Sequence, residues 1–265
     1  MVVEIAGGLF ARSLTLLADA GHMFLDASAL GFAWFALRLS RRHSDQQLTY
    51  GYHRYQVLAT FMNGLMLFGL IAWILLEAWE RLWNPAQMLP IPALAIATVG
   101  LLVNLIAWRW LHAGHDNAAV RSAMLHVLGD LLGSAAAITA AVTVWLTGWL
   151  YVDPLLALLI AAILGRGAWR LVRESSHILL EGVPAGLDLG RISATLTSEV
   201  PGVLEVHHVH AWALTAEKPL LTLHATVSPE TDLGWVVARI KAVLATRFAI
   251  EHTTIQVEHG PCPDD

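Results

Sequence analysis

Long apolar runs fill the first two thirds of the chain and stop near residue 180, where an alternating pattern typical of a water-soluble domain takes over. About 20 mostly apolar residues are needed to cross the hydrocarbon core of a bilayer. By that measure the runs predict membrane helices near 14–37, 57–80, 92–111, 121–147 and 152–173. The opening stretch MVVEIAGGLFARS is apolar but too short to cross alone, and it reads as the second half of a further span. The segment EGVPAG marks a Pro/Gly boundary. Beyond it the pattern predicts a helix over 188–199 with Asp188 as its cap, strands near 203–213 and 219–228, a helix over 232–248 and a strand over 253–258. The expected fold is therefore an α-helical membrane bundle over residues 1–180, followed by a small α+β domain of order α-β-β-α-β over 181–265.

Composition supports the membrane reading. The 265 residues are 56% hydrophobic and 14% charged, with a mean hydropathy of +0.58, whereas soluble domains are about a quarter charged. A net charge of −5 offers no basic face for nucleic acid. The single cysteine, Cys262, excludes an intrachain disulfide, and the N-terminus lacks the basic region and cleavage site of a signal peptide. Arginines set the orientation. Arg38, Arg41, Arg42, Arg54, Arg109, Arg121, Arg166, Arg170 and Arg173 cluster on one side, against only Arg12 and Arg81 on the other. The positive-inside rule then makes the arginine-rich side and the C-terminal domain cytoplasmic. Trp79, Trp83, Trp108, Trp110 and Trp149 fall near predicted span ends, where indole rings prefer to sit.

Two predicted spans each carry a His–Asp pair. A charge near the bilayer centre costs roughly 3 to more than 10 kcal/mol, so such residues point to function. His22 and Asp26 are four residues apart and share one helix face, and His126 and Asp130 repeat that spacing. Two imidazoles and two carboxylates can close a tetrahedral shell around Zn²⁺, and two Asp charges cancel those of a divalent ion. Asp19, one turn before His22, belongs on an exit path or beside the ligands. Gly21, Gly31, Gly129 and Gly133 suit close helix approach. A single His–Asp pair could be no more than an interhelical hydrogen bond; the duplication argues for a site. An intramembrane metalloenzyme fits poorly, because the chain has no HExxH and four protein ligands leave no position for a catalytic water.

The runs EIAGGLFARSLTLLADAGHMFLD, YGYHRYQVLATFMNG and VRSAMLHVLGDLLGS resemble the cation diffusion facilitator family, in its zinc-transporting branch. VHHVHAWALT and HTTIQVE resemble that family's cytoplasmic domain, so the similarity runs over essentially the whole chain. The resemblance implies a homodimer of six-span protomers in a lipid bilayer. Each protomer would exchange a divalent metal for protons by alternating access and carry a metallochaperone-like C-terminal domain. It implies a secondary active transporter rather than an enzyme, with Zn²⁺ as transported and regulatory ion and no organic cofactor. Imidazole ligands suit borderline metals, so Zn²⁺ comes first. An exporter of Co²⁺, Cd²⁺ or Ni²⁺, and a membrane metal sensor that does not transport, remain the alternatives. The family's first helix is complete where this sequence begins midway through it. The resemblance, together with the short loop at 112–120 in place of a long histidine-rich insert, implies a bacterial inner membrane.

Many of the 13 histidines fall on the cytoplasmic side. By the same resemblance His207 and His224 match a metal site, which His252 and Glu258 complete beside the last strand, and His53 in the YGYHR loop reaches down to that domain. The third imidazole of the site falls at Glu251 or His252. His210 and Trp212 are expected to serve packing or a dimer surface. Cys262, a lone soft ligand on a tail, is not counted among the ligands. His43, Asp45, His112 and His115 read as solvated loop residues or a weak capture zone.

Overall fold

The computed structural model describes residues 2–112, 118–260 and 262, with the side chains at 118–123, 125 and 126 outside that description. In chain order the membrane region contains α1 (Val2–Ala11), α2 (Leu14–Ser40), α3 (Arg54–Trp83), α4 (Pro90–His112), α5 (Ala118–Thr147) and α6 (Val152–Leu179). Five of these, all but α1, hold a stretch long and apolar enough to cross a membrane. They run up to a turn or two beyond the apolar stretches read from sequence, because polar and basic residues extend a helix readily once it leaves the lipid. Pro90 opens α4, where its missing N–H costs nothing.

The contacts divide the chain into two compact units: residues 1–34 with 60–172, and residues 35–59 with 173–265. In the first unit the interior is built largely from small side chains. Ala18, Ala78, Ala157, Ala161 and Ala168 pack with Leu14, Leu67, Ile71, Ile74 and Ile160. Ala11, Ala93, Ala140 and Ala141 form a second cluster with Met88, Val144 and Val152. Small residues let helices approach closely where no water is available to drive them together. A Cβ at Gly21 would come within 2.8 Å of the Leu70 side chain, so α2 and α3 touch there. At Gly133 it would collide with the Asp19 carboxylate. Gly31 and Gly129 have no described atom within contact distance of such a Cβ.

The second unit holds α7 (Leu189–Glu199), β1 (Val203–Ala213), β2 (Pro219–Val227), α8 (Leu233–Phe248) and β3 (His252–Glu258). β2 is central, antiparallel to β1 and parallel to β3. Parallel pairing of β2 and β3 needs a crossover, and α8 supplies it. Ile192, Leu196, Val236, Ile240 and Leu244 from the helices pack on Leu221, Leu223, Ala225 and Val227 of β2. The Asp188 carboxylate accepts from Arg191 N, as its sequence position foretells, and at the second helix that of Asp232 accepts from Trp235 N. The α+β order expected from the pattern is the one found.

Candidate metal centres

In the membrane region, α2 carries His22 and Asp26 one helical turn apart, and α5 carries Asp130. His22 Nδ1 lies 3.4 Å from Asp26 Oδ2. That matches the edge of a tetrahedron with metal–ligand bonds of about 2.1 Å. Asp130 is buried, and one ligand atom from each of the three residues lies within 4.8 Å of the others. His126 sits one turn before Asp130 on α5, but its side chain lies outside the described residues. Asp19 is not among these converging groups. It is buried against α5, where Ser134 Oγ donates to its Oδ2 at 3.3 Å and Asn104 Nδ2 donates to Ser134 Oγ at 3.4 Å. Ser134 and Asn104 were not anticipated; a lone Ser or Asn in an apolar helix carries little signal until its partner is known.

The second cluster lies on the sheet of the C-terminal unit. His207 of β1 pairs with His224 of β2, and His224 is level with Gln256 of β3. Glu258 bridges the two imidazoles, with Oε2 3.2 Å from His207 Nε2 and Oε1 3.0 Å from His224 Nδ1. Gln256 Nε2 donates to Glu258 Oε1 at 2.9 Å. Burial pushes the Glu258 carboxyl up, but the Gln256 amide and the two imidazoles outweigh it, leaving the group below the ordinary glutamate range. Cys262 Sγ lies 3.4 Å from His224 Nδ1, so the thiol set aside on sequence grounds joins the cluster. Three residues lie between it and Glu258 in the sequence.

A bulge in β1 between His207 and His210 adds another imidazole. His208 takes a left-handed backbone with φ 46°, and its ring comes to 5.0 Å from that of His224 and 5.5 Å from that of His207. Strict alternation would send consecutive strand residues to opposite faces, and the bulge overrides it. The doubled HH was the available signal.

The other cytoplasmic candidates lie elsewhere. His252 is exposed at the start of β3, level with Leu220, with its ring edge-on to Tyr50 at 5.9 Å. Gln256 lies four positions, about 13 Å, further along the strand, and Glu251 precedes the strand. Neither supplies a third imidazole level with His207 and His224; that position holds Gln256. His53 faces Lys218, whose ammonium lies 3.2 Å from His53 Nε2. Desolvation, then the Lys218 charge, hold the imidazole of His53 below its ordinary pKa. Asp45 accepts from the backbone N–H groups of Gln47 and Leu48 and from the Tyr52 hydroxyl at 2.6 Å. These bonds, that from Tyr52 foremost, lower its carboxyl pKa and make it a loop-forming residue. His43 is exposed, His112 stacks on Trp108, and His115 lies outside the described residues. His210 and Trp212 line a cavity with Tyr50, Arg54 and Tyr55.

Comparison with known proteins gives consistent matches over the whole chain. Residues 1–180 match the model of the cation efflux transmembrane domain, and residues 184–260 that of the cation efflux protein cytoplasmic domain. The chain is 45% identical over 267 residues to the zinc transporter ZitB of Pectobacterium atrosepticum, covering 100% of this chain and 83% of the relative. It is 39% identical to the metal cation efflux system protein CzcD of Cupriavidus metallidurans, covering 99% and 83%. With the cadmium, cobalt and zinc/H(+)-K(+) antiporter of Bacillus subtilis it shares 35% identity, covering 97% and 84%.

Proposed function

The chain belongs to the cation efflux, or cation diffusion facilitator, family, and from that premise we propose that it exports Zn²⁺ in exchange for protons at His22, Asp26, His126 and Asp130. It is a multi-pass inner-membrane transporter of divalent metal cations, not an enzyme. The observation that carries the site is the convergence of His22, Asp26 and Asp130 from two membrane helices. The four-residue spacing of His126 and Asp130 in the sequence supports His126 as the fourth ligand.

Metal enters from the cytoplasm and binds as neutral imidazoles and carboxylates, since ligands must be deprotonated to coordinate. Reorientation of the helices opens the site to the far side. There protons compete with the metal for the same imidazoles and carboxylates. The name of the Bacillus subtilis relative supports a proton as counter-ion. His126→Ala and Asp26→Ala each abolish zinc-driven proton flux in reconstituted vesicles while the protein still inserts. Normal flux from either variant would reject the site, and zinc binding without flux in the unaltered protein would favour a sensor.

Residues 1–180 form the transport domain in this reading, and 181–265 a regulatory domain that binds Zn²⁺ at His207, His224, Glu258 and Cys262 and tightens a homodimer. Cys262 is a soft ligand and favours Cd²⁺ as an alternative ion at that cluster.

A further inference from the structure

The turn between α1 and α2 is held by a residue about 140 positions further along the chain. Arg12 adopts a left-handed backbone, φ 54°, and α2 starts two residues later. The first turn of a helix leaves backbone N–H groups without partners, and where the turn is buried away from water they need an acceptor within the protein. Here Asp153, in the first turn of α6, supplies the acceptor. Its Oδ2 accepts from Leu14 N at 2.7 Å, and its Oδ1 accepts from Thr15 N at 3.1 Å and Ser13 Oγ at 2.8 Å. Thr15 Oγ1 donates in return to the Asp153 backbone carbonyl at 2.9 Å. Ser13 Oγ also takes Leu16 N at 3.3 Å, and Ser13 O takes Leu17 N at 3.1 Å. A carboxylate here also complements the positive end of the α2 dipole.

Arg81, in the last turn of α3, completes the junction. Its Nη1 lies 3.4 Å from Asp153 Oδ2 and donates to the Arg12 carbonyl at 2.6 Å, while its Nε donates to Glu77 at 2.8 Å. Ser13, Leu14, Thr15 and Leu16 are fully buried, and Asp153 is 2% exposed.

We propose that Asp153 is a positioning residue for metal transport: by gripping the first turn of α2, it sets the height and rotation at which His22 and Asp26 face Asp130. The inference rests on the intramembrane site proposed above. His22 lies eight residues, about 12 Å, along α2 from Leu14. Along a continuous helix, a slip of one residue at the cap moves His22 and Asp26 together by about 1.5 Å and 100°. Their mutual spacing survives, since both ride on α2, but their approach to Asp130 on α5 does not. Metal affinity therefore depends on the cap, although Asp153 never touches the ion.

The test uses the full chain in proteoliposomes, with Zn²⁺ as the probe and rates normalised to folded protein. Asp153→Asn puts an amide donor where one carboxylate oxygen now accepts, so at least one α2 donor loses its partner. The expected result is an apparent KM for Zn²⁺ raised by roughly tenfold, the scale seen when groups that orient metal ligands are lost, with the saturated rate within about twofold of the original. A purely structural staple would lower the thermal midpoint but leave the KM of folded protein unchanged, and that result overturns the proposal. If Asp153→Asn does not accumulate in the membrane, Ser13→Ala, which removes one hydrogen bond to the carboxylate and the acceptor of Leu16 N, is measured instead, with Thr15→Val, which removes only the bond to the Asp153 carbonyl, beside it. A KM raised severalfold supports the inference and an unchanged KM rejects it. His22→Ala is run alongside. Normal transport by that variant would remove the intramembrane site itself, whereas an inactive His22→Ala beside a normal KM in the Asp153 variant removes only the role of Asp153.

Discussion

Gly133→Ala tests whether the close approach of α2 and α5 beside the intramembrane residues is essential to the packing. On α5, Gly133 lies one turn beyond Asp130, and a Cβ there would run into the Asp19 carboxylate. Asp19 has little room to retreat, being 3% exposed and hydrogen-bonded by Ser134. Alanine gains about 1 kcal/mol over glycine in a helix interior. Against that stand overpacking, about 1–3 kcal/mol, and the strained or lost Ser134–Asp19 hydrogen bond, about 1 kcal/mol. The balance is a loss of about 1–3 kcal/mol. Gly31→Ala on α2 is the control, since its added methyl meets nothing within 4 Å and should gain up to about 1 kcal/mol. Thermal-shift midpoints in the same detergent compare the two, at about 2–4 °C per kcal/mol for a protein of this size. Gly133→Ala should melt several degrees below the unaltered protein and Gly31→Ala at or above it. Equal midpoints for the two variants would refute the packing argument.

Three further outcomes follow from the cytoplasmic unit. His207→Ala or His224→Ala should weaken the zinc dependence of transport without abolishing it, the outcome that the regulatory role proposed above requires; loss of all flux would contradict that division of labour. Cys262→Ser should weaken Cd²⁺ binding to the full chain more than Zn²⁺ binding, because thiolate prefers the softer ion; titration calorimetry on a transport-site-deficient background reads the difference, and an equal effect on both ions would place the thiol outside the site. For His53, desolvation and the Lys218 charge depress the pKa, so the imidazole is neutral in the folded protein between that lowered value and about 6.5, where an unfolded chain would protonate. The stabilising contribution of this neutral state is present above pH of about 6.5 and is lost as pH falls through the lowered value. Lys218→Met should move the His53 titration partway back up, leaving the desolvation part, as read from the pH dependence of diethyl pyrocarbonate labelling; an unmoved midpoint would sink the assignment.

Much of the architecture is written in local pattern. Span lengths, the arginine bias and the four-residue spacing of His22 with Asp26 and of His126 with Asp130 can be read directly, because helix periodicity and bilayer thickness act on neighbours in sequence. The α-β-β-α-β order was legible for the same reason, as was the capping role of Asp188. What needed the tertiary structure is everything that depends on register or on residues far apart in the chain. The level of β3 against β2 places Gln256, and not His252, beside His224. The bulge in β1 turns His208 toward its neighbours, and the path of the tail after Glu258 brings Cys262 to the same imidazole. Asp153 reads from sequence as an acidic first-turn residue of its own helix, yet it caps another helix about 140 residues away in sequence. Side-chain chemistry and short-range periodicity are properties of the chain; which donors meet which acceptors is settled only when strands pair and helices pack.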